Sequence, residues 1–126
     1  FVAGRLKDLI IVRGVNHYPQ DIELSVERCH GALRPGCGAA FSIERDGEER
    51  LAIAHEVRAG AHPLDEIADA IRAVVRERHE LAVEEIALLA AGMLPKTTSG
   101  KVSRRPCRSA LETGTLPVLW RWSRGA

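Results

Sequence analysis

Aromatic residues are scarce in this sequence, with two Phe, two Trp and one Tyr among 126 residues. The core must therefore come from Ala, Val, Leu and Ile. Tyr18 and Phe41 make no stacking platform beside the basic residues, which argues against a nucleic-acid surface. Cysteine is equally sparse. Cys29, Cys37 and Cys107 are odd in number and show no Cys-x-x-Cys spacing. That argues against a disulfide framework or a zinc site and fits a reducing cytoplasm. No apolar run approaches the ~18 residues that a membrane-spanning helix needs, and no signal peptide is read. An excess of one charge is also missing. The net charge of +1 sets up no global field toward nucleic acid or a lipid surface. The sequence opens on Phe1 rather than Met and enters a patterned segment at once. We therefore expect a piece of a longer protein, one domain in size.

What is present is clear periodicity. Residues 8–19 read as an apolar run, a turn at Arg13–Gly14 and a short return, which predicts a small hairpin. Pro19 then opens a helix, with Asp21 and Glu23 in its first turn, where the dipole favours acids. Ile22, Val26, Cys29 and Leu33 supply one buried face, and Gly31 with Pro35–Gly36 ends the segment. Residues 38–57 predict strand, turn and strand, because Asp46–Gly47 separates two alternating runs. Ala39, Phe41 and Ile43 share one face of the first strand; Leu51, Ile53 and Val57 share one face of the second. Residues 62–81 predict a helix with a stripe of Leu64, Ile67, Ala68, Ile71, Val74 and Val75. Residues 85–91 are apolar on both sides and predict a central strand. Ser103 is positioned to cap a last short helix that tolerates Pro106 only in its first turn. The expected class is α+β: a small β-hairpin followed by a three-stranded sheet covered by helices.

The stretch LPKTTSGKVSRRP, residues 94–106, does not look like core. From Lys96 to Arg108 stand five positive residues and no acidic one. A phosphate-cradling P-loop would need Gly at position 95 and Ser or Thr at 102; Pro95 and Val102 stand there instead. The plain reading is a solvated surface loop. The other reading is a lysine, Lys101, on a flexible segment before a helix, carried as a point charge into a pocket elsewhere. His17, His30, His55, His62 and His79 show no metal-ligand spacing and read as structural. No metal site is expected. Cys29 and Cys107 fall on helix faces and read as core. The basic residues Arg104, Arg105 and Arg108 suit either a solvated helix face or the docking of an acidic carrier protein.

Two separated segments carry a family resemblance. GRLKDLIIVRGVNHYPQDIE (Gly4–Glu23) and LPKTTSGKVSRR (Leu94–Arg105) resemble the two signature motifs in the C-terminal domain of adenylate-forming enzymes. Acyl-CoA synthetases, nonribosomal peptide adenylation domains and luciferases belong to that superfamily. The layout between the motifs is similar to that domain as well. The first segment most resembles the fatty acyl-AMP ligases, whose hairpin pattern GRxKDxIxxxGxNxxPxDIE is met at every fixed position. The closing TGTLPVLWR resembles that branch too.

The resemblance implies a reaction in two steps. A large N-terminal domain, in cis, binds ATP with Mg2+ and a fatty acid, and the carboxylate attacks the α-phosphorus to give acyl-adenylate and pyrophosphate. The C-terminal domain then rotates, and the acyl group passes to the phosphopantetheine thiol of an acyl carrier protein. By matching position, Lys101 is implied as the lysine of the adenylation step and Lys7 as the hinge. Arg5 is implied to face nucleotide phosphate. Gly14 is implied as the hairpin glycine where the pantetheine arm approaches, and Gly100 joins Arg5 and Gly14 as a cofactor-binding position. Asn16 stands where some CoA-forming relatives carry Arg, a departure that favours a carrier-protein acceptor over free CoA. The implied divisions are 1–18 hinge and hairpin, 19–93 α/β core, 94–112 lysine loop and short helix, and 113–126 C-terminal tail. The domain alone is expected to be inactive. The alternatives are an acyl-CoA synthetase, a peptide adenylation domain, or a non-enzymatic basic docking module.

Overall fold

The computed structural model describes residues 9–60, 63–96 and 103–124. The expectations for Arg5, Lys7, Gly100 and Lys101 lie outside these residues. Two tight hairpins start the fold, each at a two-residue turn that demands positive φ at both positions. Arg13 (φ 52°) and Gly14 (φ 78°) join β1 (Ile10–Val12) to β2 (Val15–His17). Asp46 (φ 56°) and Gly47 (φ 78°) join β3 (Leu33–Arg45) to β4 (Glu48–Val57). Such turns match the twist of the strands they connect. Between the hairpins runs α1 (Pro19–Glu27), with Pro19 in its first turn, where a missing N–H costs nothing.

After β4 the chain crosses over through α2 (Leu64–His79) to β5 (Val83–Leu89), which pairs parallel with β4. A parallel pair requires a connection of that kind. Helix α3 (Arg104–Thr113) and strand β6 (Val118–Ser123) complete the chain. The sheet order is β3-β4-β5-β6, with β1-β2 as a separate ribbon.

The class is α+β as expected, but the sheet has four strands rather than three. The expected tail supplies β6, antiparallel to β5, with Trp122 opposite Ile86 and Trp120 opposite Leu88. Both tryptophans pack against the larger core. The Arg72 guanidinium sits 4.4 Å over the Trp122 ring, a contact worth ~0.5–1 kcal/mol where exposed. Arg121 grips Glu85 through two N–H···O bonds of 2.6 and 2.9 Å. A second correction concerns α1, which stops at Glu27. Cys29 lies beyond it, and Leu33, Pro35 and Gly36 belong to β3, whose register shifts between Leu33 and Gly38. Glu27 itself accepts the Gly36 N–H at 2.9 Å, so the irregular strand start finds a partner on the helix. Asp21 is in the first turn of α1, whereas Glu23 lies further along.

The sheet is buried on both faces. Leu51, Ile53, Val57, Ile86 and Leu88 face α1, α2 and Ile10 of the ribbon. Ala39, Phe41, Ile43, Ala87 and Leu89 face α3 with Leu94, Cys107, Leu111 and Leu116. Each fully buried Leu or Ile contributes roughly 1.5–3 kcal/mol. Helix α2 presents Ile67, Ala68, Ile71 and Val75 as its buried stripe, as its spacing predicts. Strand β5 is buried along its whole length, as expected of a central strand.

Candidate functional site

The described residues on either side of segment 97–102 are held by two carboxylates. The first is Glu56, near the end of β4 and fully buried. It accepts the Gly92 N–H and the Leu94 N–H, both at 2.9 Å. Lys96 Nζ lies 3.4 Å from Oε2 and Arg34 Nε 3.3 Å from Oε1. Burial by itself would raise the carboxyl pKa. The two backbone donors and the Lys96 ammonium outweigh it and hold the group below the ordinary 4.5. Glu56 is therefore a carboxylate at neutral pH, and its charge fastens residues 92–96.

The second carboxylate is Glu23 of α1. Its Oε2 accepts the Ala40 N–H at 2.8 Å. Arg104, at the start of α3, reaches it with Nε at 2.6 Å and Nη2 at 2.8 Å. This forked geometry is the strong form of an ion pair. The Ser103 N–H donates to Pro95 O at 3.0 Å, so segment 97–102 begins and ends at one closure. Ser103 occupies the N-cap of α3, though without a side-chain cap bond.

Beside Glu56, His55 is 1% exposed, and its Nε2 lies 2.8 Å from Arg34 O. The ring fits only because position 38 is glycine. A Cβ there would stand 2.1 Å from His55 Nδ1. Burial keeps the His55 pKa below 6.5, against the opposing pull of the Arg34 carbonyl, Glu27 and Glu56. His79, bonded to Ser25 Oγ at 2.9 Å, and His17 are also lowered by burial. Burial pushes Cys107 up to about 12 and Cys29 up to about 11, so neither is a nucleophile at neutral pH. Among the described residues no three His, Cys, Asp or Glu side chains gather as a metal site. No described helix is long and apolar enough to cross a membrane.

The hairpin ribbon lies at the other end of the sheet. The Ile11 N–H donates to Glu49 Oε2 at 3.1 Å, which fixes the ribbon to the start of β4. From Glu49 to Glu56 is seven residues of strand, about 23 Å. Val12 and Arg13 line a groove of about 500 Å³ with residues 48–51 and Arg76, Glu80 and Arg124. Gly14 turns at φ 78° with no atom within 4 Å of where a Cβ would sit. Its backbone is thus open to an approaching chain.

Of the residues singled out from sequence, Gly14 is at the ribbon turn and Arg104, Arg105 and Arg108 are on α3. Arg105 and Arg108 are exposed, whereas Arg104 is committed to Glu23. Glu56 and Glu23 were not singled out. A signal existed for Glu56: it is a lone charge within the apolar run of β4. Glu23 was marked as the last fixed position of the GRxKDxIxxxGxNxxPxDIE pattern, but nothing in the sequence tied it to Arg104.

A family model described as "Disco-interacting protein 2-like, AMP domain" matches residues 7–119. A medium-chain fatty-acid (acyl-carrier-protein) ligase of Moorena producens is 50% identical over 119 residues, covering 92% of this chain and 20% of the relative. A long-chain fatty-acid AMP ligase of Mycolicibacterium smegmatis is 42% identical over 138 residues, covering 92% and 22%. The chain thus spans about a fifth of the length of these relatives. Among solved structures, a fatty acid AMP ligase from Legionella pneumophila superposes with a TM-score of 0.71 at 37% identity, covering 85% of this chain and 19% of that one.

Proposed function

Because the chain belongs to the Disco-interacting protein 2-like AMP-domain family, we propose that it is the C-terminal mobile domain of a fatty acyl-AMP ligase. The parent activates a fatty acid with ATP and passes it to the phosphopantetheine thiol of an acyl carrier protein. In the first step a carboxylate oxygen bonds to the α-phosphorus and pyrophosphate leaves. Lys101 enters the cleft as a cation and offsets the repulsion between the carboxylate and the phosphate oxygens. In a water-poor cleft one such contact is worth ~10²–10³ in rate. Arg5 and Gly100 serve the nucleotide phosphates. In the second step the thiol sulfur bonds to the acyl carbon, its proton departs and AMP leaves. Gly14 then borders the path of the pantetheine arm, and Lys7 is the hinge between the two arrangements. Mg2+ supplies charge neutralisation at the triphosphate, and we assign it to the N-terminal domain in cis. The divisions 1–18, 19–93, 94–112 and 113–126 follow the same scheme. Residues 118–123 are reassigned from tail to edge strand.

One observation carries this reading. The ribbon turn and the closure of segment 97–102 stand at opposite ends of one sheet, about 23 Å apart along β4. One body with two working ends suits a reaction with two steps at one cleft, provided that the body turns between them. Exposed Arg105 and Arg108 supply positive charge for an acidic carrier protein. Three free thiols suit a cytoplasmic setting.

The test uses the full-length enzyme. Lys101→Ala should abolish acyl-adenylate formation and retain thioester formation from supplied acyl-adenylate. Equal loss of both steps would overturn the assignment. The same assay offers free CoA against holo carrier protein, and thioester formed on CoA would redirect the reading to an acyl-CoA synthetase.

A further inference from the structure

We propose that Glu56 and Glu23 are positioning residues for Lys101, one carboxylate fastening each end of the segment that bears it. The inference rests on the ligase reading above and gives a role to Glu56, which lies outside both motifs, and to Glu23, the last fixed position of the first, to which no role was assigned.

A fully buried carboxylate is expensive to keep in a core, and an apolar residue of similar size would pack at least as well. Glu56 nevertheless sits in the apolar run of β4, and three of its four partners, Gly92 N, Leu94 N and Lys96 Nζ, belong to the stretch leading into segment 97–102. At the far end of that segment Arg104 spends both prongs on Glu23. The Ser103–Pro95 bond joins the two ends. Their supports are not independent. Ile22 and Val26 of α1 lie in the same core cluster as Ile53 and Val57 of β4. Both carboxylates are therefore referenced to one packed body. A lysine that must place its ammonium between two anionic groups needs a root of that stiffness, since a misplacement of about 1 Å can cost ~10²-fold in rate.

The roles of the two acids are separable from bulk stability. In the full-length enzyme, Glu56→Gln removes the charge and, whichever way the amide turns, sets its NH2 against two donors, Gly92 N with Arg34 Nε or Leu94 N with Lys96 Nζ, and Glu23→Gln removes the charge that Arg104 grips. Each should lower kcat for acyl-adenylate formation by ~10–10²-fold. Thioester formation from supplied acyl-adenylate should stay within about twofold, with KM for ATP little changed. Because both acids act through Lys101, adding Glu56→Gln to Lys101→Ala should lower adenylation no further. Unchanged adenylation in both Gln variants, or a parallel fall of both half-reactions, would overturn the proposal. Should Glu56→Gln fail to fold, Lys96→Met and Arg104→Lys answer the same question. The first removes a half-exposed ammonium. The second keeps charge but loses the fork. Selective loss of adenylation in either supports the proposal; no loss in either, or equal loss in both steps, sinks it. The Lys101→Ala control distinguishes the failures. If that variant still adenylates, the ligase reading falls. If it is dead and the Gln variants are normal, only the positioning role falls.

Discussion

Gly38→Ala should be among the most damaging single-methyl additions available to this fold. Gly38 stands just past the irregular start of β3, facing the His55 ring. The added Cβ would meet Nδ1 at 2.1 Å, Cε1 at 2.6 Å and Cγ at 3.0 Å. Contact distances that short do not occur, so ring or backbone must move. The ring is buried, and its Nε2 is tied to Arg34 O at 2.8 Å. Moving it strains a close-packed neighbourhood, for roughly 1–3 kcal/mol, and breaks a hydrogen bond, for about 1 kcal/mol. The sum is about 2–4 kcal/mol. At roughly 3–5 °C per kcal/mol for a domain of this size, Tm should fall by about 6–20 °C. Thermal unfolding followed by far-UV circular dichroism measures this for Gly38→Ala, His55→Ala and the double variant. With the ring gone, the methyl group should cost little, so the two changes should be strongly non-additive. A Gly38→Ala protein that melts with the parent, or additive losses, would refute the clash as the reason for glycine.

Two further outcomes follow from the site. Gly14→Ala should fold almost normally, losing about 1 kcal/mol to its left-handed φ alone. It should adenylate at the parental rate and transfer the acyl group to holo carrier protein more slowly. A fall confined to adenylation would misplace the ribbon in the reaction. Acidification should weaken the fold in two stages, read as urea midpoints from pH 8 to pH 3. His17, His55 and His79 have folded values below the ordinary 6.5. The unfolded chain therefore binds more protons as pH drops below 6.5, and stability falls. Glu56 lies below the ordinary 4.5, so its contribution is complete above that pH and is lost as pH falls through its folded value. His55→Gln should shrink the first stage only. A midpoint that is flat from pH 8 to pH 5 would contradict the histidine assignment.

Much of the fold was legible because its signals are local. Asp46–Gly47 and Arg13–Gly14 mark turns that need positive φ, and the stripe of α2 repeats at the helical period. The misreadings came where local signals conflict. Pro35–Gly36 punctuates like a helix stop, yet it lies within β3, where a register shift absorbs it. Val118, Trp120 and Trp122 alternate as a strand does, but a run of six residues forms a strand only when an edge is free to receive it. The open edge of β5 is a tertiary fact.

The sequence by itself determined the two hairpin turns, helix α2, the apolar strand β5 and the two motifs that carry the family resemblance, because each depends on neighbours within a few residues. Only the tertiary structure decided that Glu56 meets Lys96, that Glu23 meets Arg104 across 81 positions, and that the ribbon turn lies far from the closure at Pro95. A carboxylate finds its cation through packing of the elements that bear them, and no pattern along the chain encodes that distance.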